Sequence, residues 1–96
     1  MKISVIPFLV FFLPFYIFSQ NTISGTVTDN NGTPIIGANV YLDGSYDGAS
    51  SDDNGKFSFT TSETGTQTLI VSFVSFEAFK LTDDISKMKN LKIVLR

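Results

Sequence analysis

The chain has 96 residues, a formal net charge of −2, and no cysteine, histidine or tryptophan. This length allows one small domain. Without histidine and cysteine the chain lacks the usual general base, the usual transition-metal ligands and the thiol nucleophile, and its negative charge does not favour nucleic acid as a partner. We therefore expect a non-catalytic binding or scaffolding role, with no cofactor and no metal site.

The first residues have the pattern of a signal peptide. Lys2 is the one charged residue before a largely apolar run over residues 3–18, which two prolines interrupt. This run is shorter than the roughly 20 residues that a membrane-spanning helix needs, and prolines disfavour a helix. We expect residues 1–19 to be a signal peptide cleaved before Gln20, which exports residues 20–96 without a membrane span. An uncleaved N-terminal anchor is the alternative.

After residue 20, short segments with two-residue alternation of apolar and polar side chains predict an all-β domain. The first predicted strand covers residues 23–28 and directs Val27 inward. The sequence Asp-Asn-Asn-Gly, which ends at Gly32, then predicts a turn because these residue types tolerate turn geometry. Pro34 is expected to fix the exit of this turn.

The middle of the chain predicts three further strands. Residues 38–42 form a second alternating segment, and residues 49–51 form a third, weaker one. An Asn-Gly pair at residues 54–55 is a strong hairpin signal, so residues 56–60 are expected to pair back on residues 49–51. The last of these strands directs two phenylalanines to one face.

The C-terminal part predicts the remaining strands. Residues 69–74 are the richest apolar run after residue 20 and predict a central strand. Alternation continues in residues 75–81, a polar stretch with room for a helical turn follows, and residues 91–96 predict a last strand. Six or seven short strands without a long helix predict a β-sandwich. The expected core residues are Val27, Val40, Phe57, Phe59, Val71 and Phe73, and the expected turn residues are Gly32, Pro34 and Gly55.

Residues 25–40, 51–59 and 71–76 resemble, in this order, the three motifs of the carboxypeptidase regulatory-like domain. Two residues depart from the pattern. Ser51 stands where threonine is usual, and Ser75 stands where glycine is usual and suggests a less tight turn. The resemblance implies a seven-stranded, Greek-key, transthyretin (prealbumin)-like β-sandwich. In envelopes with an outer membrane, such domains commonly form the N-terminal periplasmic extension of TonB-dependent receptors that import glycans and other large nutrients.

Two functional interpretations follow. In the first, residues 20–96 form an envelope interaction module in the periplasm or at the outer membrane, as the N-terminal extension or truncated head of a TonB-dependent receptor for nutrient or glycan uptake. Its partner would be an envelope protein, either the receptor or a TonB-type energising system, bound by an exposed sheet edge or face. In the second, the chain is a stand-alone secreted structural or carbohydrate-binding module, with a glycan as ligand.

The residues also suggest three specific sites, and for each an ordinary structural role is favoured. Two acidic strings offer oxygen ligands for calcium but lack the spacing of a calcium loop, so turn formation is favoured. Tyrosines can stack on sugars, but two isolated ones favour ordinary surface placement. Neighbouring carboxylates in turns favour a solvated role over catalysis. The calcium candidates are the string Asp29, Asn30 and Asn31 and the string Asp52, Asp53 and Asn54. The sugar candidates are Tyr41 and Tyr46, and the candidates for catalysis are the Asp52–Asp53 and Asp83–Asp84 pairs.

Overall fold

The computed structural model describes residues 20–96, and the predicted signal peptide at residues 1–19 lies outside the described residues. The described part contains seven strands and one 3₁₀ turn. The strands are β1 (Asn21–Thr28), β2 (Asn39–Leu42), β3 (Gly48–Ser50), β4 (Lys56–Thr61), β5 (Thr66–Ser72), β6 (Phe79–Asp84) and β7 (Leu91–Val94), with the 3₁₀ turn at Ile85–Lys87 between β6 and β7.

The strands form two sheets, which confirms the predicted all-β class and the number of strands. One sheet has three strands in the order β4-β1-β7, and the other has four in the order β3-β2-β5-β6. Only the β1–β7 pair is parallel among the paired strands of residues 20–96. The predicted central strand is β5, which lies between β2 and β6. No helix within residues 20–96 is long and apolar enough to cross a membrane.

The core lies between the two sheets because each strand directs alternate side chains inward. In β4 the alternation is complete, since Phe57, Phe59 and Thr61 are buried while the residues between them are exposed. Loops close the two ends of the core with further buried side chains, including Met88 and Leu95. The side chains of the core cluster that have no exposed surface are Ile23, Val27, Ala38, Val40, Leu42, Leu69, Val71 and Met88.

The structure places five of the six expected core residues in the interior and the sixth at its margin. Val27, Val40, Phe57, Phe59 and Val71 are buried. Phe73 is only half-buried and packs against the outside of the core cluster. The expected strand over residues 69–74 ends early because β5 stops at Ser72 and the chain turns, so Phe73 belongs to a loop.

The predicted hairpin between residues 49–51 and 56–60 is wrong. β3 pairs with β2, and β4 pairs with β1 in the other sheet. The backbone of Ser51 is already engaged, because its N–H donates to the Ala38 carbonyl at 3.0 Å and its carbonyl accepts from the Gly37 N–H at 2.9 Å. The Asn-Gly turn therefore carries the chain from one sheet to the other. We call residues 52–55 the corner turn and residues 29–32 the outer turn.

The loop after β5 corrects the expectation of a less tight turn at Ser75. The Phe76 N–H donates to the Phe73 carbonyl at 3.1 Å, which closes a tight turn. Ser75 has φ of 73°, in the left-handed region that favours glycine. The turn thus keeps the geometry that a glycine would adopt, and serine occupies it under strain.

Candidate functional site

The acidic strings considered for calcium serve the two turns. Asp29 Oδ1 accepts hydrogen bonds from the N–H groups of Asn31 and Thr33 at 2.8 and 3.0 Å. Asp52 Oδ1 accepts from the N–H groups of Asn54 and Lys56, both at 2.9 Å. Each of these two carboxylates thus caps its own turn. Within residues 20–96 no group of three or more Asp or Glu side chains is placed to hold a metal ion.

The electrostatics of Asp52 follow from this arrangement. The Lys56 N–H and then the Asn54 N–H lower the pKa of the Asp52 carboxyl from its ordinary value, and the Lys56 ammonium adds a smaller effect in the same direction. Backbone donors favour the charged form of a carboxyl because they stabilise its anionic oxygens. A carboxylate held in this way is a poor proton carrier near neutral pH, which argues against a general acid role for Asp52.

The other acidic pair is engaged in the same manner. Asp84 Oδ1 accepts hydrogen bonds from the Ser86 hydroxyl at 2.7 Å and the Ser86 N–H at 2.9 Å, and these lower the pKa of the Asp84 carboxyl, the hydroxyl more than the N–H. The Asp83 carboxylate accepts from the Asp84 N–H at 2.7 Å. Asp84 therefore caps the 3₁₀ turn that follows β6, and the Asp83 carboxylate is engaged by the backbone of Asp84.

One end of the sandwich exposes apolar side chains. Ile36 and Val74 are 56% and 76% exposed. Phe73 reaches toward the loop that carries Ile36, since its Cε1 lies 3.9 Å from the position of a β carbon on Gly37. The Phe73 and Phe76 rings lie against each other with their centroids 6.3 Å apart. We call Ile36, Phe73, Val74 and Phe76 the apolar end.

Two of the four sheet edges are short strands. The edge strands are β4 and β7 in one sheet and β3 and β6 in the other. β3 and β7 have three and four residues. In addition, the Glu77 N–H donates to the Arg96 carbonyl at 3.0 Å, which engages the chain directly after β7. Short edge strands are poor templates for an added strand, which disfavours β3 and β7, whereas the edge strands β4 and β6 have six residues each.

The structure brings together the two tyrosines considered for sugar binding. Tyr41 lies in β2 and Tyr46 lies in the loop before β3, and both line one open hollow on the outer face of the four-stranded sheet. The sequence indicated each tyrosine separately but did not place them together, and it did not indicate their polar neighbours. We call this site the tyrosine hollow, and its lining residues are Asn39, Tyr41, Ser45, Tyr46, Gly48, Ala49 and Ser50.

The sequence also did not indicate the role of Ser51. Its hydroxyl is buried, accepts a hydrogen bond from the Ala38 N–H at 2.8 Å and donates one to the Ile35 carbonyl at 2.6 Å. These bonds tie the segment before β2 to the chain before the corner turn, and so fix the loop that presents Ile36. The threonine usual at this position also carries a hydroxyl, and this shared hydroxyl is the sequence signal that could have identified the role.

The family assignment rests on a comparison with protein-family models. The CarboxypepD_reg-like domain model matches residues 23–96, which is most of the chain and all seven strands except the start of β1. The chain belongs to the CarboxypepD_reg-like domain family. None of the curated proteins matches this CarboxypepD_reg-like domain.

Solved structures show the same fold at low sequence identity. One similar chain belongs to the crystal structure of the Coh3ScaB-XDoc_M1ScaA complex, an N-terminal interface mutant of the type II Cohesin-X-Dockerin complex from Acetivibrio cellulolyticus, with a TM-score of 0.68 and 20% identity. Another belongs to the Coh3ScaB-XDoc_M2ScaA complex, a C-terminal interface mutant of the same complex, with a TM-score of 0.63 and 19% identity. Each match covers 78% of this CarboxypepD_reg-like domain chain and 56% of the other chain.

Proposed function

We propose that this CarboxypepD_reg-like domain is a non-catalytic interaction module of the cell envelope, and that it contacts a protein partner through the apolar end. In this proposal residues 1–19 are a signal peptide, and residues 20–96 form the transthyretin-like Greek-key sandwich that the family resemblance implies, in the periplasm or at the outer membrane. The module would serve as the N-terminal extension or truncated head of a TonB-dependent receptor for nutrient or glycan uptake.

The exposure of Val74 and Ile36, on two loops that approach each other at Phe73 and Gly37, carries the proposal. Val74 is 76% exposed and Ile36 is 56% exposed, beside the half-buried Phe73 and Phe76. Clustered apolar side chains on a soluble domain mark a surface that a partner covers, because their burial is favourable by about 25 cal/mol per Å². The similar solved chains come from complexes whose protein interfaces were mutated, which supports a protein partner in preference to a small substrate.

The alternative is a stand-alone secreted structural or carbohydrate-binding module. The tyrosine hollow favours a carbohydrate ligand. The two interpretations differ in the size of the native product, so the intact mass of the protein captured from the envelope with an antibody against residues 50–80 distinguishes them. A product of several hundred residues supports the receptor head, and a short product beginning at Gln20 supports the stand-alone module.

Photo-crosslinking in living cells tests the partner surface. A benzophenone amino acid at Val74 is expected to crosslink to a larger envelope protein, which mass spectrometry would identify as a TonB-dependent receptor or a TonB-type protein. The matched control is Thr60, which is exposed on the opposite sheet. Because Val74 is largely exposed, its replacement leaves the core intact. Equal crosslinking from Thr60 and Val74, or none from Val74, contradicts the proposed surface.

A second experiment tests whether Ile36 and Val74 contact the same partner. With the crosslinker at Ile36, the additional change Val74→Asp is expected to reduce the crosslinked product at least about tenfold, because a charge in an apolar contact must be desolvated. Lys80→Gln, at an exposed position of β6, changes the charge by the same single unit and serves as the charge control. If both changes reduce crosslinking equally, the loss is a general charge effect and the apolar end is not the contact.

A further inference from the structure

The tyrosine hollow is a candidate ligand site that is independent of the apolar end. It is an open depression with a volume of about 410 Å³. It lies where β2 and β3 pair, on the face of the four-stranded sheet that points away from the core. The register places Asn39 opposite Ser50 and Tyr41 opposite Gly48 on this face.

Both tyrosine rings of the hollow are accessible. Tyr46 is fully exposed at 106% and Tyr41 is half-buried in β2. Across the strand pair, Gly48 has no side chain to cover Tyr41, and a β carbon there would lie only 2.9 Å from Tyr41 Cβ and would collide with the Val40 carbonyl. The flank of Tyr41 toward the sheet edge therefore stays open.

The loop that presents Tyr46 is held by hydrogen bonds. The Ser45 hydroxyl donates to the Leu42 carbonyl at 3.3 Å and accepts from the Asp47 N–H at 3.1 Å. The Asp47 carboxylate in turn accepts from the Thr61 hydroxyl at 2.6 Å, which attaches the loop to β4. Tyr46 is thus exposed on a loop that is fixed on both sides, so its ring can act as a binding surface without a large ordering cost.

Two polar side chains of the hollow have hydrogen-bonding capacity to spare. Within the part of the chain that the structure describes, neither the Asn39 amide nor the Ser50 hydroxyl makes a side-chain hydrogen bond. An amide and a hydroxyl together offer both donors and acceptors. Because the two residues are cross-strand partners, these groups lie side by side next to the Tyr41 ring.

The lining of the hollow carries no charge, although the chain has 7 basic and 9 acidic residues. No side chain of the lining offers an opposite charge to an anionic or a cationic ligand. A proline-rich peptide also stacks on tyrosines, but its prolines have no N–H and leave the acceptor groups of Asn39 and Ser50 unpaired. A pyranose ring offers an apolar C–H face for the tyrosines and neutral hydroxyls that both donate and accept. We propose that the tyrosine hollow binds a neutral oligosaccharide, stacked on Tyr46 and hydrogen-bonded by Asn39 and Ser50.

Amide chemical shifts test the site directly. The full ¹⁵N-labelled chain, expressed with its own N-terminal segment in an export-competent host, is titrated with hexasaccharides of starch, cellulose, xylan and mannan. Saturable shifts are expected with at least one of them at Asn39, Tyr46, Gly48 and Ser50, with a dissociation constant of about 1 mM, as suits a shallow site with few contacts.

Variants separate stacking from hydrogen bonding. Tyr46→Ala is expected to weaken binding at least about tenfold, and Tyr46→Phe to retain it, because the ring face and not the hydroxyl makes the contact. Both variants fold, since Tyr46 is fully exposed. Asn39→Ala is expected to weaken binding about three- to tenfold through the lost hydrogen bonds. Val74→Ala, at the apolar end, is the matched control and leaves the affinity unchanged.

Four results overturn the proposal. The first is the absence of saturable shifts with all four hexasaccharides, and the second is an affinity that Tyr46→Ala does not change. The third is shifts at the hollow that require a hexamer of galacturonic acid and weaken with salt. The fourth is shifts at the hollow with a proline-rich decapeptide but with none of the sugars. None of these bears on crosslinking from Val74, so the two proposals fail independently.

Discussion

The outer turn and the corner turn are built alike but have different tasks. In each, the aspartate side chain accepts two backbone hydrogen bonds, the aspartate carbonyl accepts from the glycine N–H, and the aspartate N–H donates to the carbonyl four residues later. Their glycines have nearly equal φ, 81° at Gly32 and 76° at Gly55. Local chemistry thus specifies the turn, while the surroundings decide where the chain goes next.

The surroundings of the two glycines differ completely. A β carbon on Gly32 would have no atom within 4 Å. A β carbon on Gly55 would lie 2.5 Å from the Val27 carbonyl oxygen and 3.1 Å from Pro34 Cβ. The Gly55 carbonyl also accepts from the Val27 N–H at 2.7 Å, so the corner turn packs directly on β1 and on the exit of the outer turn. The same four-residue pattern is a free surface loop in one place, and in the other its buried glycine packs against β1.

The largest difference is expected from adding one methyl group to each turn. Gly32→Ala costs about 1–2 kcal/mol in the free energy of unfolding because alanine is strained at positive φ. Gly55→Ala costs that amount plus the displacement of Val27, about 2–4 kcal/mol in all. Urea unfolding followed by circular dichroism measures both. Equal losses would show that the close contact between Gly55 and β1 does not contribute to stability.

The residues that precede the two turns provide the next test. Ser51→Ala leaves the buried Ala38 N–H and Ile35 carbonyl without their partner and is expected to cost about 1–3 kcal/mol. Ser51→Thr, which restores the residue usual in the family, keeps the hydroxyl and is expected to change stability by less than about 1 kcal/mol. Thr28 occupies the equivalent place before the outer turn, and within residues 20–96 its hydroxyl makes no hydrogen bond.

The control for this test is Thr28→Ala, which is expected to cost less than Ser51→Ala because no buried partner is orphaned. Thermal unfolding of the three variants gives the comparison. A loss for Thr28→Ala as large as that for Ser51→Ala would mean that the hydroxyl bridge does not distinguish the corner from the outer turn.

What the sequence predicted well is local. Alternation and one apolar run indicated the strand segments, and the Asp-x-x-Gly strings located both turns, because these signals depend on neighbouring residues. The sheet that a strand joins depends on distant partners, and the hairpin at residues 54–55 failed for that reason. Hydrogen bonds from Ser51 to Ala38 and from Val27 to Gly55 assign the segments on either side of the corner turn to different sheets. These bonds span 13 and 28 positions in the chain.

The same limit applies to the candidate sites. Tyr41 and Tyr46 were visible in the sequence, but their common hollow depends on the glycine opposite Tyr41 and on the bonds of Ser45 and Asp47. Phe73 was expected in the core by alternation, yet the turn at residues 73–76 places it at the apolar end. A short loop changes the direction of a side chain, and the periodicity of the sequence does not predict this change.

A third turn extends the comparison to a residue that is not glycine. Ser75 adopts φ of 73°, as Gly32 and Gly55 do, without the freedom of glycine. Ser75→Gly relieves strain of about 1–2 kcal/mol and adds about 0.5–1 kcal/mol of unfolded-state entropy, so a net stabilisation of about 0.5–1 kcal/mol is expected. Asn90, at φ of 54°, is the control, because asparagine tolerates this region and Asn90→Gly gains little. A destabilised Ser75→Gly variant would mean that its side chain contributes to the apolar end.

The smallest effect concerns the charge beside the corner turn. Asp52 has Lys56 four residues later, where Asp29 has Thr33. Because folding lowers the pKa of the Asp52 carboxyl, its contribution to stability is present above the ordinary value of about 3.9 and is lost as the pH falls through the lower folded value. Lys56→Thr makes the corner turn match the outer turn at this position and removes the charge but not the backbone donor.

The carboxyl titration of Asp52 by carbon-detected NMR separates these two causes. In Lys56→Thr the pKa of Asp52 is expected to rise slightly and to stay below its ordinary value, because the N–H groups of residues 56 and 54 remain and contribute most of the lowering. Asp52→Asn keeps an acceptor oxygen in the turn and is expected to flatten the loss of stability below about pH 4. A return of the Asp52 pKa to its ordinary value in Lys56→Thr would assign the lowering to the lysine charge, and the two turns would then differ in their electrostatics as well as in their packing.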